Sequence, residues 1–251
     1  MREIRGILFD KDGTLLNFHT FWPPIVQEVI DLLLEQIGGQ KNDLLKEELL
    51  KRIGYVNHQI EEYGILASGT TKDLADAIQN VLGNRSVYES RMDLEAWLSA
   101  QLRRLTRHNL YRIQPTASFY PLFQRLKGEK IRVGLSTADD YVTTILSLKQ
   151  LGIYSFFDFI GTSDRYKGKP DPDMFFSFCK KFGLEPSEVA VVGDTITDLL
   201  FARNSGAGLV IGVLSGVGNE EVLAKEADIL LPSVSGLIRA DGRFIWEESD
   251  R

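Results

Sequence analysis

The chain has 251 residues, and its 43% hydrophobic and 25% charged content is typical of a globular protein with a substantial core. The net charge of −6 argues against a nucleic-acid-binding surface, because such a surface neutralises phosphates with excess Lys and Arg. The single cysteine, Cys179, excludes an intramolecular disulfide. The sequence has no apolar run of the ~18 residues that a membrane span needs, and its N-terminus has no signal-peptide pattern. We therefore expect a cytoplasmic protein with neither a nucleic-acid nor a membrane partner.

The first predicted element is a strand, Ile4–Phe9, and a helical segment follows it. After Leu16 the apolar residues recur at helical spacing, and glycines such as Gly38 and Gly54 mark the ends of helices. We interpret residues 17–115 as a helical domain inserted after the first strand. Its predicted helices are Ile25–Ile37, Asp43–Ile53, Lys72–Leu82 and Leu94–Leu105.

The rest of the chain alternates between short apolar segments and helical patterns. Most of the apolar segments are nearly continuous, as in strands that are buried on both faces of a parallel sheet. This alternation predicts an α/β fold with a doubly wound parallel sheet, formed by residues 1–16 and 116–251. The predicted strands are Ile131–Ser136, Phe157–Ile160, Val189–Val192, Gly208–Val213 and Asp228–Leu231. The predicted helices are Ser118–Lys127, Tyr141–Leu151, Asp173–Phe182, Thr197–Asn204 and Asn219–Glu226.

Two carboxylates lie two residues apart where the first strand ends, in the segment Asp10-Lys11-Asp12-Gly13-Thr14. Ligands of open α/β sheets bind at this edge. One carboxylate of such a pair can attack phosphorus to form an acyl-phosphate. The other can give a proton to the leaving oxygen and take one from water. The alternative is a simple Asp-Gly turn, in which Gly13 only lets the chain bend.

Two further polar residues follow later strands. Thr137 comes directly after Ser136 and can donate a hydrogen bond to a phosphate oxygen, although a local turn or cap is the commoner role of such a residue. Lys169 lies in the Pro-flanked segment Lys167–Pro172 and can neutralise a phosphate together with the nucleophile, although loop lysines are usually solvated. Neither residue establishes a phosphate site by itself.

A second pair of carboxylates, Asp194 and Asp198, follows the strand that ends at Val192. Hard oxygen ligands of this kind suit Mg²⁺. The alternative is an ordinary helix start, in which Thr197 is the cap and Asp198 interacts favourably with the helix dipole. The sequence leaves both interpretations open.

Taken together in this order, the four segments resemble the haloacid dehalogenase-like (HAD) superfamily of phosphohydrolases. The resemblance covers the first strand and most of residues 116–235. The inserted helical segment resembles the first type of cap domain of that family. By this resemblance Asp10 is the nucleophile and Asp12 the general acid/base, while Thr137 and Lys169 bind the phosphate and Lys169 also takes part in catalysis.

The resemblance also implies a Mg²⁺ cofactor. Asp10, the main-chain carbonyl of Asp12 and Asp194 are its expected ligands, and Asp198 is expected to orient the metal shell or Lys169. Two positions depart from the usual pattern of the family. Lys11 stands where many members carry an apolar residue, and an alanine follows Thr137 where many have Asn.

The expected activity is Mg²⁺-dependent hydrolysis of a small phosphate monoester. Asp12 favours phosphate chemistry, because haloacid dehalogenases themselves lack an Asp at that place. Phosphoglycolate phosphatase is the subgroup most resembled, and sugar phosphates, nucleoside monophosphates and pyrophosphate are further candidates. A phosphomutase of the same family is one alternative, but Trp22 stands where such mutases usually carry His. A non-catalytic phospho-ligand-binding regulatory protein is another, but it would typically have lost Asp10 or Asp194.

The aromatic segment Phe18–Pro24 directly follows the catalytic loop and can line the entrance between two domains. In that arrangement His19 and Trp22 contact the substrate, whereas hinge packing is the alternative for Phe18 and Phe21. A cap that closes over the site excludes water and restricts the partner to a small phosphorylated metabolite. The sequence leaves the oligomeric state open.

Overall fold

The structure is a computed structural model that describes residues 3–38, 42–83 and 91–247. The chain forms two compact units. The first combines Met1–Asn17 with Ile113–Arg251, and the second is Phe18–Arg112. The interpretation of residues 17–115 as a cap domain stays a prediction and is developed as a proposal below.

In the described residues of the first unit, six strands form one sheet: β1 (Gly6–Phe9), β4 (Arg132–Thr137), β5 (Phe159–Thr162), β6 (Val189–Gly193), β7 (Leu209–Val213) and β8 (Ile229–Leu231). Their order across the sheet is β5-β4-β1-β6-β7-β8, and neighbouring strands are parallel. The central strand β1 therefore lies between β4 and β6, which come much later in the chain. This is the predicted doubly wound parallel sheet.

Both faces of the sheet are buried, which explains why its strands read as continuous apolar runs. Ile7 and Phe9 belong to one hydrophobic cluster, whereas Leu8 between them belongs to another on the opposite face. In β6, Ala190 belongs to the cluster of Ile7 and Phe9, and Val191 belongs to the cluster of Leu8. Successive side chains of a strand point to opposite faces, so each face needs its own covering layer.

Helices supply these layers, and the five predicted helices of this unit are present, one of them (Asp173–Phe182) with the predicted ends and four with shifted ends. They are α6 (Tyr120–Gly128), α7 (Tyr141–Gln150), α8 (Asp173–Phe182), α9 (Ile196–Ser205) and α10 (Glu220–Leu223). The largest difference is α10, which is much shorter than the predicted Asn219–Glu226. Asn219 lies just before it as the N-cap, with its side chain accepting from the backbone N–H of Glu221.

The described part of the second unit is mainly helical, as predicted, and adds a short antiparallel hairpin that was not predicted. The turn of the hairpin is Asn57-His58, and both residues have positive φ, which fits a two-residue turn. Strands of two residues leave no readable alternation in the sequence. The elements are α1 (Phe18–Gly38), α2 (Asp43–Arg52), β2 (Tyr55–Val56), β3 (Gln59–Ile60), α3 (Ile65–Ser68), α4 (Thr71–Leu82) and α5 (Arg91–His108).

Helix α1 begins earlier than the predicted Ile25, although it contains Pro23 and Pro24. Proline lacks a backbone donor and disfavours a helix interior, so the sequence pattern indicated a start after the two prolines. Phe18, Phe21 and Ile25 are each buried and recur at helical spacing. Their burial outweighs the cost of the two prolines. No helix in the described residues has both the length and the apolar character that crossing a bilayer requires.

The aromatic packing on one face of the sheet gives a testable stability prediction. Phe178 of α8 is fully buried, and Gly6 and Gly134 on adjacent strands make room for its ring. We expect Phe178→Ala to lower the free energy of unfolding by ~3–5 kcal/mol, because it leaves a cavity in the core. Phe176→Ala on the same helix is the control, since Phe176 is 46% exposed. Urea unfolding of both variants checks this, and equal losses would contradict the assigned packing.

Candidate active site

The candidate site lies at the carboxyl ends of three adjacent strands of the first unit. Asp10 directly follows β1, Thr137 ends β4, and Asp194 directly follows β6. The backbone N–H of Asp10 donates to the carbonyl of Val192 over 2.8 Å, so the chain remains tied to β6 as it leaves β1. The strand order therefore brings Asp10 together with two residues that lie more than a hundred positions later in the sequence.

Lys169 connects this cluster from the loop between β5 and α8. Its Nζ donates to Asp10 Oδ1 over 2.6 Å, to Asp198 Oδ1 over 2.5 Å and to the carbonyl of Ser136 over 3.1 Å. These three bonds use all the donors of an ammonium group. The side chain of Lys169 is only 4% exposed, so it is a buried ion-pair partner and not a solvated loop lysine.

Asp194 is fully buried and is held on several sides. Its Oδ1 accepts from the Thr14 hydroxyl over 3.1 Å, and its Oδ2 accepts from the backbone N–H of Val217 over 2.9 Å. Gly13, at φ +91°, and Gly216 both approach the carboxylate so closely that a Cβ at either position would collide with it. The loops after β1 and β7 thus fix the orientation of this carboxylate.

Asp198 lies in the first turn of α9 and is also buried. Its Oδ1 accepts from Lys169, and its Oδ2 accepts from the backbone N–H and the hydroxyl of Thr195, over 3.0 and 2.6 Å. The helix cap is therefore Thr195, which forms a capping box with Asp198, and the alternative in which Thr197 is the cap is wrong. Asp198 therefore both completes the capping box of α9 and binds the Lys169 ammonium.

Thr137 is buried, and its Oγ1 accepts from the backbone N–H of Asp139 over 3.2 Å. This is the local turn that the sequence had left as an alternative. The turn is compatible with phosphate binding, because a hydroxyl that accepts a hydrogen bond still has a proton to donate.

The cluster carries more negative than positive charge. Burial raises the pKa of Asp10 to about 7; the charge of Lys169 opposes this rise, and the charges of Asp198 and Asp12 add to it. Burial also raises the pKa of Asp194 well above its usual range, and the charges of Asp10 and Asp198 contribute. Burial alone would lower the pKa of Lys169, but Asp10 and Asp198 together raise it. The Lys169 ammonium therefore stays charged.

The donor set fits a divalent metal ion. Asp10, Asp194 and Asp198 each offer an oxygen within 4.8 Å of the other two, and all three residues are buried. Hard carboxylate oxygens suit divalent ions such as Mg²⁺ and Ca²⁺. A divalent cation held by these oxygens would offset the repulsion among the three buried carboxylates.

Several contacts around the site escaped the sequence analysis. Lys11 and Asp139 form a second ion pair beside Asp12, in which Lys11 is fully buried and Asp139 is 12% exposed, and nothing in their residue types or separation predicted it. The loop Ser215–Gly218 was also missed, although a Ser-Gly-Val-Gly segment directly after an apolar run is a readable signal. The hydroxyl of Ser215 donates to the carbonyl of Gly13 over 2.7 Å, which joins this loop to the loop after β1.

His19 and Trp22 lie in the first turns of α1, in the second unit. His19 is exposed, whereas Trp22 is 8% exposed and packs edge-on against Phe21. Their assignment to substrate binding stays a prediction.

Comparisons with known proteins identify the family. Residues 4–206 match the family model of the haloacid dehalogenase-like hydrolases. The pyrophosphatase PpaX of Bacillus velezensis is 31% identical over 242 residues, which cover 96% of this chain and 98% of that protein. The phosphoglycolate phosphatase of Thiobacillus denitrificans is 24% identical over 234 residues, which cover 92% of this chain and 93% of that protein.

Among solved structures, an HAD phosphatase from Thermococcus onnurineus has the same fold. Its TM-score is 0.66 at 20% identity, and the match covers 96% of this chain and 100% of that one. The family match spans most of the chain, and the carboxylate cluster stands at the sheet edge where the family motifs fall. The chain therefore belongs to the haloacid dehalogenase-like hydrolases and is an enzyme of the phosphatase type.

Proposed function

We propose that this enzyme hydrolyses a small phosphate monoester with the help of Mg²⁺, through an aspartyl-phosphate formed on Asp10. The observation that supports this most strongly is the surroundings of the Asp10 carboxylate. It stands at the end of a buried central strand, bonded on Oδ1 to a buried lysine and beside two further carboxylates.

Asp10 is the nucleophile of this proposal. Lys169 holds Oδ1, which leaves Oδ2 as the atom that attacks phosphorus. A bond forms between Oδ2 and phosphorus, while the bond between phosphorus and the leaving oxygen breaks. Two easier steps thereby replace one difficult hydrolysis.

Asp12 moves the protons. Its side chain is 16% exposed and so remains within reach of a bound molecule. In the first step it gives a proton to the leaving oxygen, and in the second it takes one from the water that attacks the phosphoryl group. Cleavage of the bond between phosphorus and Oδ2 then releases phosphate and restores Asp10.

Thr137 and Lys169 hold the phosphate. The Thr137 hydroxyl donates to a phosphate oxygen, and the Lys169 ammonium offsets the negative charge that the nucleophile and the phosphate bring together. Asp198 keeps Lys169 in place through its 2.5 Å contact. Stabilisation of this kind is common to all phosphate monoesters, whatever their organic part.

Asp10, the main-chain carbonyl of Asp12 and Asp194 would hold the Mg²⁺ ion. Both oxygens of Asp198 already accept hydrogen bonds from the chain, so we assign Asp198 to the surroundings of the metal and to Lys169. When bound, Mg²⁺ would neutralise charge on the nucleophile and the phosphate.

The relatives and the inserted unit support the proposed substrate class. The relatives include a phosphoglycolate phosphatase and a pyrophosphatase, so we propose a small substrate such as phosphoglycolate or a sugar phosphate. Pyrophosphate is the second candidate, because the pyrophosphatase PpaX is 31% identical over 96% of this chain. Trp22 argues against the mutase alternative, because it stands where such mutases usually carry His. The presence of both Asp10 and Asp194 argues against a non-catalytic ligand-binding role.

We further propose that residues 17–115 act as a cap that closes over the phosphate site, with His19 and Trp22 facing the organic part of the substrate. The helical character of this segment and the small substrates of the relatives support the proposal. In this arrangement the first unit recognises the phosphate and the cap selects among phosphate monoesters.

Covalent catalysis predicts that Asp10→Asn abolishes turnover and leaves the fold intact, because an amide is a poor nucleophile. Asp12→Asn is expected to lower kcat on an alkyl phosphate by ~10²–10⁴-fold, the usual contribution of a positioned acid/base. Steady-state kinetics and circular dichroism check both variants. Retention of a tenth of the wild-type kcat by Asp10→Asn, in protein free of deamidation, would exclude Asp10 as the nucleophile.

The metal proposal predicts that Mg²⁺ raises the melting temperature of the protein even without substrate. Binding to the folded state at about 100 times Kd stabilises it by ~2.7 kcal/mol. Asp194→Asn should lose most of this Mg²⁺-induced shift and nearly all activity. Glu129→Gln is the control, because the Glu129 side chain is 51% exposed and lies at the end of α6, and it should keep both. Full activity after exhaustive chelation would refute the metal requirement.

The cap proposal predicts that two groups of variants fail differently. Lys169→Ala should reduce activity on every phosphate monoester, because it removes charge stabilisation that all of them share. His19→Ala and Trp22→Ala should instead change the ranking of kcat/KM across a panel of phosphorylated metabolites. Tyr63→Ala, which alters a 73% exposed residue of the same unit, is the control and should keep the wild-type ranking. A common loss factor for all substrates in both α1 variants would argue against substrate contact.

A further inference from the structure

Lys11 is fully buried although it follows the nucleophile on a loop. Its Nζ lies 2.9 Å from Asp12 Oδ2 and 2.6 Å from Asp139 Oδ2. Burial alone would lower the pKa of Lys11, but the two carboxylates together raise it, so the group is charged. One ammonium therefore joins the proposed acid/base carboxylate to a carboxylate from the loop after β4.

Stability alone does not account for this arrangement. Removing charges from water is costly, and a well-packed apolar residue in place of a buried ion pair is often neutral or stabilising. Replacing Lys11 and Asp139 together by apolar side chains would fill the same space without that cost. The charged group is better explained by what it does to Asp12.

The backbone at Asp139 gives Lys11 a rigid anchor. The Asp139 N–H donates to Thr137 Oγ1 over 3.2 Å, and the Asp139 carbonyl accepts from the backbone N–H of Ser163 over 3.1 Å. The Ser163 hydroxyl donates to the neighbouring carbonyl of Ala138 over 2.6 Å. The loop is thus fixed to the ends of both β4 and β5, and its carboxylate fixes the lysine.

We infer that Lys11, anchored by Asp139, is a positioning residue that holds the Asp12 carboxylate in place for proton transfer to and from the substrate. The inference rests on the proposed acid/base role of Asp12. It also connects two halves of the site: Thr137, which would hold the phosphate, bonds to the backbone of the residue that anchors Lys11. Displacement of the phosphate-binding loop would thereby misplace the proton donor.

The test separates proton-transfer geometry from general structural damage by varying the leaving group. Lys11→Met keeps the length and volume of the side chain and removes its charge. Kinetics of kcat/KM are measured on an alkyl phosphate, whose leaving oxygen needs a proton, and on 2,4-dinitrophenyl phosphate, whose leaving oxygen does not. We expect Lys11→Met to lose at least about tenfold more on the alkyl phosphate, within the ~10²–10⁴-fold that a positioned acid/base supplies.

Asp139→Asn is the second variant, because it keeps Lys11 and a hydrogen-bond acceptor but removes the anchoring charge. It should show the same preferential loss on the alkyl phosphate to a smaller extent, and it keeps the test decisive if Lys11→Met does not fold. An equal loss on both substrates, or no loss, in the folded variants would overturn the inference. Asp12→Asn distinguishes failure of the acid/base role of Asp12 from failure of the positioning role of Lys11. If Asp12→Asn also loses equally on both substrates, the proposed role of Asp12 fails. If Asp12→Asn loses more on the alkyl phosphate but Lys11→Met does not, only the role of Lys11 fails.

Discussion

The site depends on one buried ammonium group that joins carboxylates from different parts of the chain. Lys169 reaches Asp10 after β1 and Asp198 on α9, and it also donates to the carbonyl of Ser136 on β4. Without this cation, buried carboxylates within a few ångströms of one another would repel and take up protons. Lys169 opposes this effect at Asp10, whose pKa burial raises to about 7, and the negative charge of the cluster suits a divalent cation.

The parallel sheet makes this arrangement possible. Since β1 lies between β4 and β6, the loops that follow these three strands meet at one edge. The close-packed core on both faces of the sheet fixes the strands, and the positions of the side chains at the strand ends are fixed with them. The loop after β7 completes the edge, because Gly216 and Val217 close around the Asp194 carboxylate.

The sequence predicted the sheet and the residues at its carboxyl edge, because continuous apolar runs and polar residues after them are local signals. Other features depend on contacts that no local pattern shows. Lys11 belongs to a residue type that is usually solvated, and its partner Asp139 is far away in the chain. The prolines of α1 indicated a later start of the helix, since the burial of Phe18 and Phe21 that outweighs their cost is tertiary. The hairpin of the second unit depends on the backbone conformation of two residues.

The central claim is that Asp10 carries the phosphoryl group during turnover. It is tested most directly by mixing the Asp12→Asn variant with 2,4-dinitrophenyl phosphate, whose leaving group needs no proton, and quenching rapidly in acid. Reduction with tritiated borohydride then labels an acyl-phosphate. The account predicts a burst of dinitrophenol equal to the enzyme concentration, with tritium in the peptide that contains Asp10. A full burst with no label in that peptide would contradict it.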